Sequence, residues 1–413
     1  MPLSPLETSP SPRQRAEQHG SARSPRLELI TSEAGFRQLQ PAWNRLLRLT
    51  PDWTPFQLFE LQALWWQTFG ADSELFIVVL YRDTEVRAIA PMRVSSQTYL
   101  GQPRRLLTYI GDRREIDRPT VLREGEDPEA LRLVFGFLLA RQADWDALHL
   151  YDLGKESVAY TIATQVLRTS QLLSATRDVP VSPWVDTTGD WDAFLKTKSR
   201  VFRKTLRRRR RQLAQQGQVR FTTHQTHPEV AEAFATFRRV EGHSWKREQG
   251  LDLGREPAYL AYHSKLVDEL GPLGKVVFRV LWLDDQPIAA SFGLVEGEQF
   301  VALHITHDDR FKRFSPGVVL TAHELEACYT DQTCRIYDFL GGHLNNKLAW
   351  EPNLRKTVDL FAFRKEPVFR IVFAWRYRFR PKLRGHMQRL GVHGAYRRAR
   401  AKWFGTPEPD PEA

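Results

Sequence analysis

The chain has 413 residues (48.0 kDa), 42% hydrophobic and 11% aromatic, which excludes a wholly disordered protein and suffices for two domains of about 150–200 residues. Its longest apolar runs, such as Leu133–Ala140, fall short of the roughly 20 residues that span a bilayer. The proline-broken N-terminus has no signal-peptide core either, so a cytoplasmic protein is expected. The formal charge of +11 is concentrated: Arg364–Lys402 holds 13 Lys/Arg against one acid, and Lys196–Arg211 holds ten basic residues and no acid, while the rest is mildly acidic. This distribution predicts a globular body with two basic patches turned toward something anionic: a membrane surface, a glycan or nucleic acid. Two cysteines, Cys328 and Cys334, make no disulfide framework, and a single C-x5-C pair is too few ligands for zinc, so no metal is expected.

In chain order, residues 1–25 read as a disordered Pro/Ser-rich tail. A first α+β domain is expected over 26–180, with helices Glu33–Leu49, Gln57–Phe69, Pro128–Arg141 and Glu156–Thr169 and strands Glu74–Tyr81, Val86–Val94, Arg105–Ile110 and Ala147–Leu153. A second is expected over 181–365. It opens with a helix Trp191–Gln216 stopped by Gly217 and continues with helices Pro228–Trp245, Pro257–Leu270 and Pro316–Thr330. Its strands fit Val219–Thr223, Lys275–Leu283, Ile288–Val295, Gln299–Thr306, Arg335–Phe339 and Thr357–Phe363. Residues 366–413 form a basic, aromatic C-terminal segment.

The two halves resemble each other. Trp65-Trp66 near a helix end precedes VVLYRDTEVRAIAP, and Trp245-Lys246 precedes RVLWLDDQPIAAS; matching Leu80 to Leu281 and Ile89 to Ile288 shortens the second turn by two residues. Strand–turn–strand copies about 200 residues apart predict a duplicated α+β domain.

The chemistry concentrates between Phe300 and Lys347. A strand runs into the basic loop Arg310-Phe-Lys312-Arg313, and a helix then opens Ser315-Pro316-Gly317. Ser suits an N-cap, Pro the first helical position, and Gly allows close approach to the backbone. Helix N-termini bind phosphates through free N–H groups and the helix dipole, and Arg310 and Arg313 add charged donors. His304 lies on the preceding strand and is a candidate general base. Glu241 falls on an apolar stripe with Val230, Phe234, Phe237 and Trp245, where a carboxylate is costly unless paired or used. Asp338, between Tyr337 and Phe339, forms with Lys347 a D-F-x-G-G-x5-K pattern and an expected Asp–Lys pair.

The strand, the R-x-x-R-x-S-P-G loop and the following helix and strand resemble the pyrophosphate-binding unit of GNAT-type acyltransferases. The segments FQLFELQALWWQTFG, SRVFRKTLRRRRRQL, FRRVEGHSWK, LDDQPIAASFGLV, FSPGVVL and DFLGGHLNNK are together similar to the tandem-GNAT family of CelD-like cellulose-biosynthesis proteins, and more remotely to Fem-type aminoacyl transferases. The resemblance implies two tandem GNAT-like domains with mixed central sheets and an acetyl-CoA or longer acyl-CoA donor. Pantetheine would lie along splayed strands, with pyrophosphate held by Arg310, Arg313, Ser315 and Gly317. The resemblance carries over no agreed catalytic residue; on the residue reading above, Glu241, His304 and Asp338 are the candidate catalytic residues, and Trp245, Lys246 and Lys347 the candidate acceptor-binding residues. Phe314 and Pro316 depart from the family by standing where glycines are common, and the first half carries no corresponding loop.

The arginines on the Lys196–Arg211 helix allow an RNA partner, which would favour a Fem-like transferase drawing on aminoacyl-tRNA, although the run lacks aromatic interleaving. The C-terminal mixture of Phe, Trp and Tyr with Arg suits the interface of an anionic bilayer. The sequence therefore predicts acyl transfer to an amine or hydroxyl of a lipid- or glycan-linked envelope precursor at the inner face of the cytoplasmic membrane. Its rivals are the tRNA-dependent transferase and a non-catalytic GNAT-like factor in polysaccharide biosynthesis.

Overall fold

The computed structural model describes residues 24–379 apart from 227, 333, 342–344 and 351. The expected 1–25 tail therefore lies almost wholly outside the described residues, as does the C-terminal segment beyond 379.

In the second half, strands run in the order Val219–His224, Val276–Leu283, Gln286–Glu296, Gln299–His307, Ile336–Asp338, Ser182–Asp186, Asn353–Arg355. The sheet is mixed, because Gln299–His307 pairs in parallel with Ile336–Asp338 while its other neighbours are antiparallel. Side chains alternate across it. Val276, Phe278 and Val280 face the helices Glu229–Glu241 and Pro257–Leu270, whereas Val277 and Leu281 face the side covered by Arg200–Ala214 and Pro316–Asp331.

The first half repeats this plan. Arg26–Ile30, Ile77–Arg82 and Glu85–Ala90 pair in that order, and Pro91 separates the last from Met92–Tyr99. Gln102–Tyr109, Ala147–Gly154, Thr357–Phe363 and Leu173–Asp178 follow from Met92–Tyr99. One strand crosses between the halves: Thr357–Phe363, from the end of the second half, pairs in the first sheet between Ala147–Gly154 and Leu173–Asp178, whereas Ser182–Asp186 pairs in the sheet of its own half. A crossing of this kind was not legible beforehand, since every strand buried on both faces reads alike. The halves also share one core. The helix Phe59–Phe69 packs on Pro257–Leu270, with the Phe69 ring 5.3 Å from Tyr262, and Trp43, Trp65 and Ile77 join Phe237, Phe278 and Phe292 in one apolar cluster.

Several expected elements divide. The helix expected over Trp191–Gln216 is two, Trp191–Thr197 and Arg200–Ala214, because Ser199 caps the second by accepting from Phe202 N–H at 3.1 Å. The helix expected over Glu33–Leu49 divides at Leu39, just before Pro41. The helix expected to reach Trp245 ends at Glu241, and Trp245–Glu248 starts a separate turn. Among the described residues no helix is long and apolar enough to cross a membrane.

Candidate functional site

Gln299–His307 and Ile336–Asp338 pair over three residues, from Gln299↔Ile336 to Val301↔Asp338, and then part while the first strand runs on to His307. A bulge sits at the point of divergence: Phe292 faces His304 and Gly293 faces Ala302, so Leu303 has no opposite residue. A bulge interrupts the ladder and re-aims neighbouring side chains. Leu303 and His304 accordingly line a cavity of about 290 Å³ between the two halves. Phe339, Leu340, Gly341 and Lys347 close it from the second half, and Arg113, Arg114, Glu115, Asp117 and Asp152 line it from the first.

The first-half wall is a loop set by Gly111. Its φ of +111° suits glycine, and a Cβ there would run into Ile116 at 2.6 Å. From this loop Glu115 reaches His263, with Oε2 3.4 Å from Nε2, and His263 Nε2 lies 3.4 Å from His304 Nε2. His263 Nδ1–H donates to the Tyr259 carbonyl at 2.8 Å, so the neutral ring keeps its lone pair on Nε2. His304 then donates from Nε2–H and holds its own lone pair on Nδ1.

Burial governs the charge of all three groups. It holds His263 down to about 4, and it holds His304 well below the usual imidazole value, helped by His263, Lys246, Arg114 and Lys347. Burial and Asp112 push the Glu115 carboxyl well above its ordinary range. The imidazoles are therefore neutral near pH 7. A histidine that stays neutral when folded but protonates near 6.5 when unfolded stabilises the fold above pH 6.5, and that contribution is lost as pH falls through about 4. The stability gap between the wild type and His263→Asn is thus expected to narrow by on the order of 3 kcal/mol between pH 7 and 4, read by denaturant titration at each pH. A constant gap would show that His263 is not held neutral.

Asp338 has no such freedom. Its Oδ2 accepts from Arg118 at 2.6 Å and from Arg355, and its Oδ1 accepts from Leu340 N–H at 2.9 Å. The two guanidinium groups keep it ionised against burial, below the ordinary carboxylate range. The expected Asp338–Lys347 pair does not form. Lys347 Nζ instead donates to the carbonyls of Phe339, Leu340 and Gly341 at 2.7, 3.2 and 2.5 Å, and burial lowers it to about 8. Glu241 is buried with Oε2 accepting from Leu253 N–H at 3.0 Å and Oε1 unpartnered, and burial raises its pKa. It is not among the residues lining the cavity. Lys246 lies within electrostatic reach of both Glu241 and His304, and desolvation lowers its pKa. Trp245 N–H donates to Asp309 Oδ1 at 3.3 Å.

At the open end of the splay, Ser315 takes a left-handed conformation (φ 52°, ψ 56°) and its side chain does not cap the helix, contrary to the N-cap expectation. Its carbonyl satisfies the N–H groups of Val318 and Val319 at 3.0 and 3.2 Å, and Pro316 has none to offer. Gly317 N–H thus has no partner among the described residues. Arg310 is exposed but clamped on the Asp308 carboxylate, with Nε 3.0 Å from both oxygens. Lys312 and Arg313 are exposed without a carboxylate partner among the described residues; Arg313 stacks on Phe314 and reaches Gln216 at 3.4 Å. An unpaired N–H at a helix start, two unpaired cations and a strand splay fit the diphosphate and pantetheine arm of a coenzyme A thioester.

Of the residues singled out from the sequence, His304 and Lys347 line the cavity; Glu115 and Asp152 line it as well, and His263 and Arg118 contact its neighbours, but the sequence had not singled these four out. Asp152 is buried beside Arg113, with which it pairs at 3.0 Å, and burial raises it to about 7. The one available signal was the acid-rich stretch after Gly111, which reads as an ordinary polar loop until the second half is laid against it. Among the described residues no group of three His, Cys, Asp or Glu side chains could hold a metal ion, and both cysteines are free and buried.

Residues 200–348 match the acetyltransferase (GNAT) domain family. Curated protein sequences offer no match to the chain. Among solved structures the chain is similar to FemX, with 13% identity and a TM-score of 0.58 over 84% of this chain and 99% of that one. It is also similar to the C-terminal domain of a candidate lysylphosphatidylglycerol synthetase from Agrobacterium fabrum, with 12% identity and a TM-score of 0.50 over 83% and 96% of the two chains. At these identities the likeness is one of fold. The protein is an α+β chain of two tandem GNAT-like domains with mixed central sheets, and the second domain carries the match to the acetyltransferase family.

Proposed function

We propose that the protein transfers an acyl group from acetyl-CoA or a longer acyl-CoA to an amine or hydroxyl of a lipid- or glycan-linked envelope precursor. The observation that carries this reading is the strand splay, which has a helix start with an unpaired N–H at its open end and a cavity between the two halves with a neutral histidine at its apex. The donor supplies an acyl group activated as a thioester. Lys312, Arg313 and Gly317 N–H hold its diphosphate, with Arg310 secondary because Asp308 already neutralises it. His304 accepts the acceptor's proton at Nδ1, and its Nε2–H points at the His263 Nε2 lone pair, so that His263 shares the positive charge that develops. Asp338 braces the two halves through Arg118, Lys347 holds the Phe339–Gly341 turn, and Lys246 lies within electrostatic reach of His304. The acceptor class is supported by the cavity's two-domain wall and by the likeness to a synthetase named for an aminoacylated lipid.

Calorimetric titration with acetyl-CoA and with a long-chain acyl-CoA tests the donor. Binding is expected for the wild type, weaker by about tenfold in Arg313→Ala and changed less in Arg310→Ala, since an exposed charged contact to phosphate contributes on the order of 1–2 kcal/mol. No heat with any coenzyme A ester would remove this donor. The second reading, a Fem-like transferase using aminoacyl-tRNA, is favoured by the FemX likeness and by the basic helix Arg200–Ala214, whose C-terminal side meets the donor loop through Gln216 and Arg313. It predicts tRNA binding where coenzyme A fails; absence of both leaves the non-catalytic factor.

A further inference from the structure

The strand Thr357–Phe363 begins at the cavity, which Thr357 lines, and ends in the helix Pro367–Phe373, extended by the π-helical turn Ala374–Phe379. One face of this rod is built into the first half. Phe369 is fully buried, 5.4 Å from both Tyr99 and Phe363, and Tyr377 lies 5.4 Å from Phe361. The opposite face is apolar as well. Ile371, Trp375 and Phe379, spaced i, i+4, i+8, are 59%, 57% and 61% exposed. Scattered exposed apolar side chains are ordinary, but three large ones in line on one helical face are not. Exposed Arg370 and Arg378 flank the stripe without a carboxylate partner among the described residues, and the chain from Arg364 to Lys402 is strongly basic.

A protein partner would bury such a stripe in a dry interface, where arginines without carboxylates are costly. A bilayer interface takes both features at once, apolar and aromatic side chains among the acyl chains and headgroups and arginines against anionic phosphates. We infer that Ile371, Trp375 and Phe379 insert into the headgroup region of an anionic lipid bilayer, with Arg370 and Arg378 on the lipid phosphates. The strand Thr357–Phe363 links this rod directly to the cavity that Thr357 lines. If the cavity is the acceptor site proposed above, that link suits a lipid-anchored acceptor; the docking surface itself does not depend on that reading.

The test is co-sedimentation of the full chain with phosphatidylcholine vesicles, alone and with about one third phosphatidylglycerol. Binding is expected to the anionic vesicles and to weaken at high salt. The triple variant Ile371→Ser, Trp375→Ser, Phe379→Ser is expected to bind at least about tenfold less with unchanged thermal unfolding, because these side chains are exposed. Trp375→Phe is expected to keep binding while losing part of the tryptophan quenching by brominated lipid. Three outcomes would overturn the inference: no binding to either vesicle, binding unchanged in the triple variant, or a wild-type dimer by light scattering that the triple variant converts to monomer. The last would assign the stripe to a second copy of the chain.

Discussion

Asp338→Asn is expected to lower the unfolding free energy by about 3–5 kcal/mol, the usual cost of removing one partner of a buried ion pair. The carboxylate is 1% exposed and holds two arginines, Arg118 from the first half and Arg355 beside it on Asn353–Arg355. Arg118 is itself 8% exposed, so the amide leaves a buried guanidinium with only Asp117, 3.1 Å away, to balance it. Asparagine keeps the volume and can still accept from Leu340 N–H, so the loss reports charge rather than packing. Denaturant unfolding followed by tryptophan fluorescence measures it. A variant as stable as the wild type that has nonetheless lost turnover would return Asp338 to the chemistry, against its role as a brace between the halves.

His304→Ala is expected to reduce turnover by about 10²–10⁴-fold, the range for loss of a positioned general base, with donor affinity little changed. The ring sits at the divergence of the two strands, lines the cavity and is neutral at pH 7, so its Nδ1 is free to accept a proton. The pH profile separates this role from mere packing. Because burial and neighbouring cations hold both imidazoles below the ordinary range, the acid limb of kcat/KM is expected below 6.5, and it belongs to the coupled His263–His304 pair rather than to either ring. His263→Asn and Glu115→Gln are expected to move that limb while leaving measurable turnover; a limb unmoved by either would mean that His304 works alone. If His304→Ala retained full activity, the base assignment would fail while the donor site stood.

Much of this was legible from the chain. Apolar periodicity located Pro128–Ala140, Pro257–Leu270 and Pro316–Asp331 to within about one residue, since each has a proline at its start and a continuous buried face. The matched hairpins Leu80/Ile89 and Leu281/Ile288 exposed the duplication, because equivalent core positions need equivalent side chains. Short strands were missed where no alternation could build up, as in Leu122–Arg123, Ser182–Asp186 and Asn353–Arg355. Ser315 was expected to cap through its side chain and instead turns left-handed, a choice made by the path from Phe314 into Pro316.

Local periodicity and capping residues, which act within a few positions, determined most of the elements and the tandem plan. Only the tertiary structure decided what meets across the halves. The crossing strand Thr357–Phe363, the Arg118–Asp338 pair 220 residues apart and the Glu115–His263–His304 line all join groups far apart in sequence. Each such contact depends on desolvation and on distances of a few ångströms, which no spacing along a chain encodes.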